Sequence, residues 1–332
     1  MQNEIAPFGL KTPLWPEGNI PDFQPHQIAA TTEEAAAPGF DPDASRMPHI
    51  QWYPSPDPAV ATDACAIITS GGGYDCCCDL PAYKPLVAEF LRAGVHCVNF
   101  TYRTPRPKGI PIYKTAWEDA RRAIRIVRAQ AAARGIDPTK IGAMSCSAGS
   151  HLALLMALSS RSPAPYSPVD ALDAEDAPLA WLMAFCPAYV LTDGLDCRNT
   201  NGGEGATVDS IFAFDEASCP ICFFHGGADP YSPLGSTKIW RLLRKKGIHS
   251  ELHLDATRGH GPIGAEPFRL HAIGFLRRIG ILPALPTDAT QPPELSDAEA
   301  LAAVEEWEAS RRNGTPHDLH LVSLTKTPNE HQ

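Results

Sequence analysis

The chain has 332 residues, of which 44% are hydrophobic, and it can therefore bury a large α/β core in one or two domains. Its 28 basic and 38 acidic residues give a formal net charge of −10, which disfavours binding to nucleic acid or to an anionic membrane surface. The sequence shows neither a signal peptide nor an apolar run of about 20 residues that would span a membrane. We expect a cytoplasmic protein, or a secreted one if a leader has been removed, that acts on a neutral or weakly charged molecule.

The sequence predicts three regions in chain order. Residues 1–45 are rich in Pro, Ala and acidic groups and predict an irregular N-terminal lead. Strand and helix patterns alternate over residues 46–283, which indicates a mostly parallel sheet with helices on both faces. A proline-rich linker and a helical tail occupy residues 284–332, and the tail is expected to dock on the core or to support a homo-oligomer.

A glycine-rich loop follows an early buried strand pattern. The apolar stretch at residues 66–69 runs into Ser70-Gly71-Gly72-Gly73-Tyr74. Consecutive glycines let backbone N–H groups approach a ligand closely, because no Cβ stands in the way. We predict that Gly72 or Gly73 supplies half of an oxyanion hole.

Ser147 lies at a predicted turn from strand to helix, in the run Ser145-Cys146-Ser147-Ala148-Gly149. The pattern small-x-Ser-x-Gly between a strand and a helix is typical of a nucleophile elbow, which exposes the hydroxyl in front of a helix N-terminus. An ordinary strand-to-helix turn is the alternative for this run alone. We predict Ser147 as a nucleophile and the N–H of Ala148 as the other oxyanion donor.

Two later loops offer an acid and a base. An apolar strand pattern ending at His225 opens onto Asp229, and a glycine-rich loop around His260 follows a later strand. The spacing between Asp229 and His260 leaves room for one helix and one strand, which returns His260 to the edge where Ser147 lies. Ser, Asp, His is the chain order of the α/β-hydrolase triad.

Other polar residues rank lower in these roles. Asp196 and Asp215 are weaker candidates for the acid. Packing or structural hydrogen bonding is the simpler interpretation for His151 and His225. No metal-ligand cluster of the right spacing is visible in the sequence, so we expect neither a metal nor another cofactor.

From about Trp52 to Leu282 the chain resembles the esterase and acetylxylan-esterase branch of the α/β-hydrolase superfamily, the group with a Gly-Gly-Gly-Tyr oxyanion loop. The stretches that carry the likeness are Gly71–Tyr74, Asn99–Arg103, Glu118–Ala123, Gly135–Pro138, Ser147–Ala153, Gly226–Asp229 and Gly259–Gly261. Two positions depart from the pattern: Ser145 replaces the usual first glycine of the elbow, and Ser70 stands where many relatives have His or Pro. The resemblance implies an α/β-hydrolase fold and a serine esterase that cleaves acetyl esters of carbohydrates through an acyl-enzyme.

The predicted cleft is open and polar-rimmed. The stretch between the strands near Phe185 and Ile221 is dominated by Gly, Asp, Asn and Thr, which cannot build a large apolar lid. Tyr74, Tyr189 and Tyr231 lie on loops predicted to face the pocket, where aromatic rings suit sugar rings. We predict them as substrate-binding residues, with core packing as the alternative for each.

Three other functions stay open at this stage. They are a general short-chain carboxylesterase or feruloyl-type esterase, a prolyl-oligopeptidase-like peptidase, and a non-catalytic binding protein on a hydrolase scaffold. The peptidase usually carries an extra propeller, for which the chain has no counterpart. The expected partner is a small-molecule or oligosaccharide ester, with no nucleic acid and no membrane.

Ten cysteines are present, and most lie in apolar strand patterns where cysteine acts as a small buried hydrophobe. Such abundant, unpaired-looking cysteine fits a reducing compartment. Cys76-Cys77-Cys78 directly follows the glycine loop. We predict that thiol modification there impedes access of substrate to the site.

Overall fold

The computed structural model describes residues 9–53, 59–78, 83–158, 165–174, 177–192, 206–215, 218–261, 263 and 266–284. Residues Met1–Leu282 belong to one compact unit. The predicted helical tail and its role in oligomerisation lie outside the described residues, apart from the first position of the tail. Within the described ranges, no helix combines the length and the hydropathy that a membrane span needs.

A single sheet of eight described strands forms the centre of the unit. Its strands are β1 (Thr12–Pro13), β2 (His49–Tyr53), β3 (Cys65–Thr69), β4 (His96–Thr101), β5 (Ile141–Cys146), β6 (Leu182–Phe185), β7 (Ile221–Gly226) and β8 (Ser250–Asp255). Their spatial order is β1-β2-β4-β3-β5-β6-β7-β8. The β1–β2 and β2–β4 pairs are antiparallel, and the remaining five pairs are parallel.

Helices cover both faces of the sheet. They are α1 (Thr32–Ala36), α2 (Lys84–Arg92), α3 (Lys114–Ala131), α4 (Ala148–Leu158), α5 (Leu234–Lys245) and α6 (Glu266–Arg278). Side chains alternate across β3, so that Ile67 packs with the core of α3, α4 and α5, whereas Ile68 packs with the core of α2 and α6. The mostly parallel sheet with helices on both faces is the architecture that the sequence predicted.

The N-terminal lead is more ordered than predicted. Thr12 pairs with Ile50 of β2, and Thr31 caps α1 through a capping box with Glu34. The Trp15 side chain is buried, and its indole N–H donates to Asp119 at 2.8 Å. The apolar and indole groups of this segment therefore anchor it on the core, which overrides its irregular composition.

The parallel strands place their following loops at one edge of the sheet. The glycine loop follows β3, the serine elbow follows β5, and the loops with Asp229 and His260 follow β7 and β8. Because the carboxyl ends of parallel strands share an edge, all four loops converge there. The lid prediction concerns the segment between β6 and β7, which the structure describes only in part.

Candidate active site

Ser147 is held on a strained turn between β5 and α4. Its φ is 55°, in the left-handed region that residues other than glycine seldom adopt. Its N–H donates to the Phe185 carbonyl at 2.8 Å, and its carbonyl accepts from the Ser150 N–H at 2.9 Å. The backbone is thus fixed from both sides, and the half-buried side chain lines a cleft.

The two small residues beside Ser147 have distinct reasons to be small. A Cβ at Gly149 would lie 2.3 Å from the Ser70 carbonyl oxygen, so α4 can approach the end of β3 only with glycine there. Ser145 is fully buried, and its hydroxyl donates to the Met183 carbonyl at 2.9 Å. The elbow therefore accommodates serine in place of the usual glycine.

His260 connects Ser147 to Asp229. Its Nδ1 lies 2.8 Å from Asp229 Oδ2, and its Nε2 lies 2.9 Å from Ser147 Oγ. The carboxylate can only accept, so Nδ1 carries the proton and Nε2 accepts from the serine hydroxyl. The structure brings together the predicted nucleophile, base and acid in a single chain of hydrogen bonds.

Asp229 is buried yet held in its ionised form. Burial opposes ionisation, but hydrogen bonds from His225, His260 and the Tyr231 N–H outweigh it and hold the pKa of Asp229 well below its usual range. The Tyr231 N–H donates to Oδ1 at 2.8 Å, while His225 Nε2 lies 3.3 Å from Oδ2. The carboxylate is thus a fixed negative charge behind the His260 ring.

His225 ties the acid loop to α5. Its Nε2–H is shared between two acceptors, the Tyr231 carbonyl at 2.9 Å and Asp229 Oδ2 at 3.3 Å, which leaves Nδ1 to accept from the Ser236 hydroxyl at 2.9 Å. The ring is fully buried. These contacts match the interpretation of His225 as a structural hydrogen bonder.

In the glycine loop, the carbonyl groups of Gly71 and Gly72 accept hydrogen bonds from residues that follow them in the loop. The Gly71 carbonyl accepts from the Cys78 N–H at 3.0 Å, and the Gly72 carbonyl accepts from the Asp75 N–H at 3.0 Å. In a trans peptide the N–H points opposite to the C=O, so the next N–H groups, those of Gly72 and Gly73, face the other way. Gly72 has a φ of 128° and leaves no room for a side chain, because a Cβ would lie 2.0 Å from the Cys76 carbonyl oxygen.

Three backbone donors stay available beside Ser147. Among the described residues, no hydrogen bond engages the N–H groups of Gly72, Gly73 or Ala148. The N–H of Ala148 is the first of α4, and N–H groups at a helix start point out of the helix towards its N-terminus, here the side of Ser147. Gly72, Gly73 and Ser147 line the same cleft.

The cleft has a volume of about 420 Å³, within the range typical of small-molecule sites. Its described lining residues are Gly71, Gly72, Gly73, Asp75, Cys78, Tyr83, Arg106, Cys146, Ser147, Ala188, Tyr189, Tyr231, His260, Gly261 and Ile263. Tyr189 and Tyr231 thus lie where the sequence analysis expected them. The ring of Tyr231 lies 4.6 Å from the ring of His260, centroid to centroid.

Tyr74 is a correction to the sequence prediction, since it does not line this cleft. It is 1% exposed, and its hydroxyl lies 2.8 Å from His151 Nδ1 in the core. Burial lowers the pKa of His151 to about 3, so the neutral ring accepts the hydroxyl proton. Tyr74 has a positive φ of 66°, and its hydrogen bond to His151 links the glycine loop to α4.

The three consecutive thiols after the glycine loop have different surroundings. Cys77 is buried with its Sγ 3.5 Å from the Tyr102 carbonyl, and Cys76 places its Sγ 3.7 Å from the Gly72 carbonyl. Only Cys78 of the three is among the residues that line the cleft. Within the described part of the chain, none of the three forms a disulfide.

The sequence offered two weaker candidates for the acid, Asp196 and Asp215. Asp215 is exposed and is not among the cleft residues, and Asp196 lies outside the described residues. Sequence reasoning missed Arg106, which lines the cleft from the loop after β4. Its position after the carboxyl end of a parallel strand was a signal that could have found it.

Two groups of side chains in the described ranges bring metal-type ligands within 4.8 Å of one another: Cys186, His225 and Asp229, and Cys222, Glu251 and His253. Protein partners already engage both groups. The hydrogen bonds above hold His225 and Asp229, and the Arg278 guanidinium binds both oxygens of Glu251 at 2.8 and 2.6 Å. We therefore assign no metal to either group.

The chain is similar to a known protein family and to proteins of known activity. Residues 63–201 match the family model BD-FAE. The chain is 28% identical over 239 residues to Esterase LipQ of Mycobacterium tuberculosis, a match that covers 66% of this chain and 52% of that protein. It is 34% identical over 88 residues to Endo-1,4-beta-xylanase B of Butyrivibrio fibrisolvens, covering 26% of this chain and 14% of that protein. The chain thus spans about half the length of the first of these relatives and a small part of the second.

Solved structures share the fold over most of the chain. An acetyl ester-xyloside bifunctional hydrolase from Caldicellulosiruptor lactoaceticus superposes with a TM-score of 0.62 at 22% identity, covering 84% of this chain and 99% of that one. The propionate-bound thermophilic esterase Est2 of Thermogutta terrifontis gives 0.59 at 22% identity, covering 72% and 92%. These likenesses confirm the predicted α/β-hydrolase fold. Residues 63–201 thus match the BD-FAE family model, and the fold that contains them is that of the α/β-hydrolases.

Proposed function

We propose that this protein is a serine carboxylesterase that releases short acyl groups, above all acetyl, from carbohydrate esters. The observation that carries the proposal is the hydrogen-bonded chain from Ser147 through His260 to Asp229, which opens on a cleft beside three N–H groups that no described residue engages. Nucleophile, base, acid and oxyanion donors are the parts that acyl transfer through a serine requires.

Acylation begins at the serine hydroxyl. His260 Nε2 takes the proton from Ser147 Oγ as the oxygen attacks the ester carbonyl, so that the Oγ–C bond forms and the carbonyl becomes an oxyanion. The imidazolium that results is stabilised by the ionised, buried Asp229 at 2.8 Å. The N–H groups of Ala148 and of Gly72 or Gly73 receive the oxyanion, and each such donor is worth about 10²–10³ in turnover.

The intermediate then collapses. His260 returns its proton to the sugar oxygen as the C–O bond of the ester breaks, which frees the alcohol and leaves an acyl-enzyme on Ser147. Water, deprotonated by the same imidazole, attacks the acyl carbon; the bond from that carbon to Ser147 Oγ then breaks, His260 returns the proton to Oγ, and the carboxylic acid leaves. Because His260 lies 2.9 Å from Ser147 Oγ, one ring reaches the proton in both halves of the cycle.

Two observations support a short acyl group and a sugar-like alcohol. The residues that line the cleft with Ser147 include the small residues Gly72, Gly73 and Ala188 and two tyrosines, Tyr189 and Tyr231. The structural relatives bear on the same class, since one is an acetyl ester-xyloside bifunctional hydrolase and another was solved with propionate. Tyrosine faces suit the apolar faces of sugar rings, while their hydroxyls suit sugar hydroxyls.

The test is a series of p-nitrophenyl esters of increasing acyl length, together with acetylated xylo-oligosaccharides. Each added methylene offers about 0.8 kcal/mol of burial only if the pocket has apolar room for it, so acetyl and propionyl esters should be cleaved far better than octanoyl esters. Acetate should appear from the acetylated oligosaccharides. A rate that climbs steadily with acyl length, with no acetate from any acetylated sugar, would instead favour a general carboxylesterase.

A further inference from the structure

Arg106 joins three loops at the edge of the sheet where Ser147 lies. It belongs to the loop after β4, and its Nε donates to the Gly73 carbonyl at 3.0 Å. Its Nη2 donates to the Tyr189 hydroxyl at 2.9 Å, and its guanidinium carbon lies 5.6 Å from the centroid of the Tyr189 ring. The side chain thereby connects the glycine loop after β3 to the loop after β6.

We propose that Arg106 is a positioning residue that holds the glycine loop and Tyr189 in the arrangement that acyl transfer needs. The inference rests on the proposed function, because the group that it positions is the oxyanion donor of that reaction. Arg106 acts through the Gly73 peptide and through Tyr189. It need not touch the ester.

The glycine loop needs such an external anchor near its donors. Its turn is closed by bonds among its own residues, from the Asp75 and Cys76 N–H groups to the Gly72 carbonyl, and such bonds fix the shape of the turn but not its place. Contacts that fix the place lie at its two ends, where the Gly71 N–H donates to the Tyr83 hydroxyl at 2.6 Å and Tyr74 bonds to His151. Between these ends, the bond from Arg106 holds the Gly73 carbonyl directly beside the predicted donors.

The start of the Arg106 loop, at Arg103 and Thr104, is itself held by hydrogen bonds. Arg103 is buried, and its Nε lies 3.0 Å from each oxygen of Asp119 on α3. Thr104 exchanges two backbone hydrogen bonds with Ile28 of the N-terminal lead, at 2.6 and 2.8 Å. Contacts with the core therefore hold the start of the Arg106 loop, and the Arg106 side chain in turn holds the glycine loop.

The contacts require the shape of arginine rather than its charge. Nε and Nη2 bind two different acceptors at once, in the fixed planar fork of a guanidinium. A lysine ammonium would keep the charge but could not reproduce both bonds in that geometry. Another partner of the guanidinium, Asp75 at 3.2 Å, has a side chain that is 61% exposed, so this ion pair adds little.

The experiment compares Arg106→Lys, Arg106→Gln and the control Lys108→Gln on a neutral acetyl ester. Lys108 lies on the same loop and is exposed, and no described contact joins it to the glycine loop. Lys108→Gln therefore removes the same positive charge as Arg106→Gln without changing the contact between Arg106 and that loop. We expect kcat to fall about tenfold or more in both Arg106 variants, since a displaced oxyanion donor loses most of its worth, while KM changes little. Lys108→Gln should match the wild type.

A second variant, Tyr189→Phe, leaves Arg106 in place and should lower kcat with little change in KM, so it tests the same clamp even if the Arg106 variants are poorly folded. Tyr189→Phe removes the other acceptor of the fork, and combining it with Arg106→Gln should cost no more in kcat than Arg106→Gln alone, because both changes break one clamp. Full kcat in Arg106→Lys, a loss confined to KM, or additive losses in the double variant would each overturn the inference while leaving the proposed function standing. A wild-type protein without esterase activity would overturn both.

Discussion

Replacing Gly72 by alanine should disable the site with little loss of fold. The residue has a φ of 128°, where a side chain costs about 1–3 kcal/mol of strain. The new Cβ would also lie 2.0 Å from the Cys76 carbonyl oxygen, a backbone atom that cannot rotate away. The loop must therefore shift, which breaks the turn that directs the N–H groups of Gly72 and Gly73.

The expected loss follows from the donors that move. One misplaced oxyanion donor costs about 10²–10³ in turnover, so kcat of Gly72→Ala should fall by at least that factor. Gly109→Ala is the matched control, because Gly109 also has a positive φ, 77°, but has no described atom within 4 Å of the added Cβ. The strain in Gly109→Ala, about 1–2 kcal/mol, should lower the free energy of unfolding and leave kcat unchanged.

Steady-state hydrolysis of p-nitrophenyl acetate and urea unfolding, measured on both variants, provide the comparison. Wild-type turnover in Gly72→Ala would refute the assignment of the glycine loop as an oxyanion donor. Equal turnover losses in the two variants would show that strain in general, rather than the position of the donors, lowers the rate.

Three further outcomes are expected. Asp229→Asn should lower kcat by about 10³-fold or more, because the amide cannot stabilise the imidazolium; full activity would move the acid elsewhere. A maleimide should inhibit the wild type but not Cys78→Ser, since that thiol lines the cleft and Cys77 is buried; equal inhibition would place the sensitive thiol at another position. Burial lowers the pKa of His49 to about 4 and that of His151 to about 3, below the ordinary 6.5 of the unfolded chain. Below about pH 6.5 these histidines are protonated in the unfolded chain but stay neutral in the native state. The free energy of unfolding should therefore fall by about 1.4 kcal/mol for each ring with each unit that the pH is lowered. Urea unfolding between pH 7 and about 5 measures this fall, and a flat stability would contradict the burial of neutral rings.

The sequence was most informative where function depends on order along the chain. Ser147, Asp229 and His260 each follow a predicted strand, and parallel strands bring such loops to one edge whatever lies between them. The structure places the three within hydrogen-bonding distance, and their catalytic roles remain predictions.

The sequence was less informative where the placement of a side chain depends on the local backbone conformation or on partners that are distant in the sequence. Tyr74 has the residue type and loop position of a substrate contact, but its ring is buried in the core. Arg106 meets partners 33 and 83 residues away, Gly73 and Tyr189, and no local pattern announces such a pair of contacts. The buried Trp15 of the N-terminal lead is a similar case, since its partner Asp119 lies 104 residues on.

The central claim is that Ser147 carries the acyl group during turnover. The most direct measurement is to mix the protein with p-nitrophenyl acetate, quench in acid within the first turnover, and map the peptides by mass spectrometry. The account predicts one acetyl group on the peptide that contains Ser147, and none on that peptide in Ser147→Ala, whose turnover should fall by about 10³-fold or more. Undiminished turnover in Ser147→Ala, or an acetyl group trapped on a different residue, would contradict it.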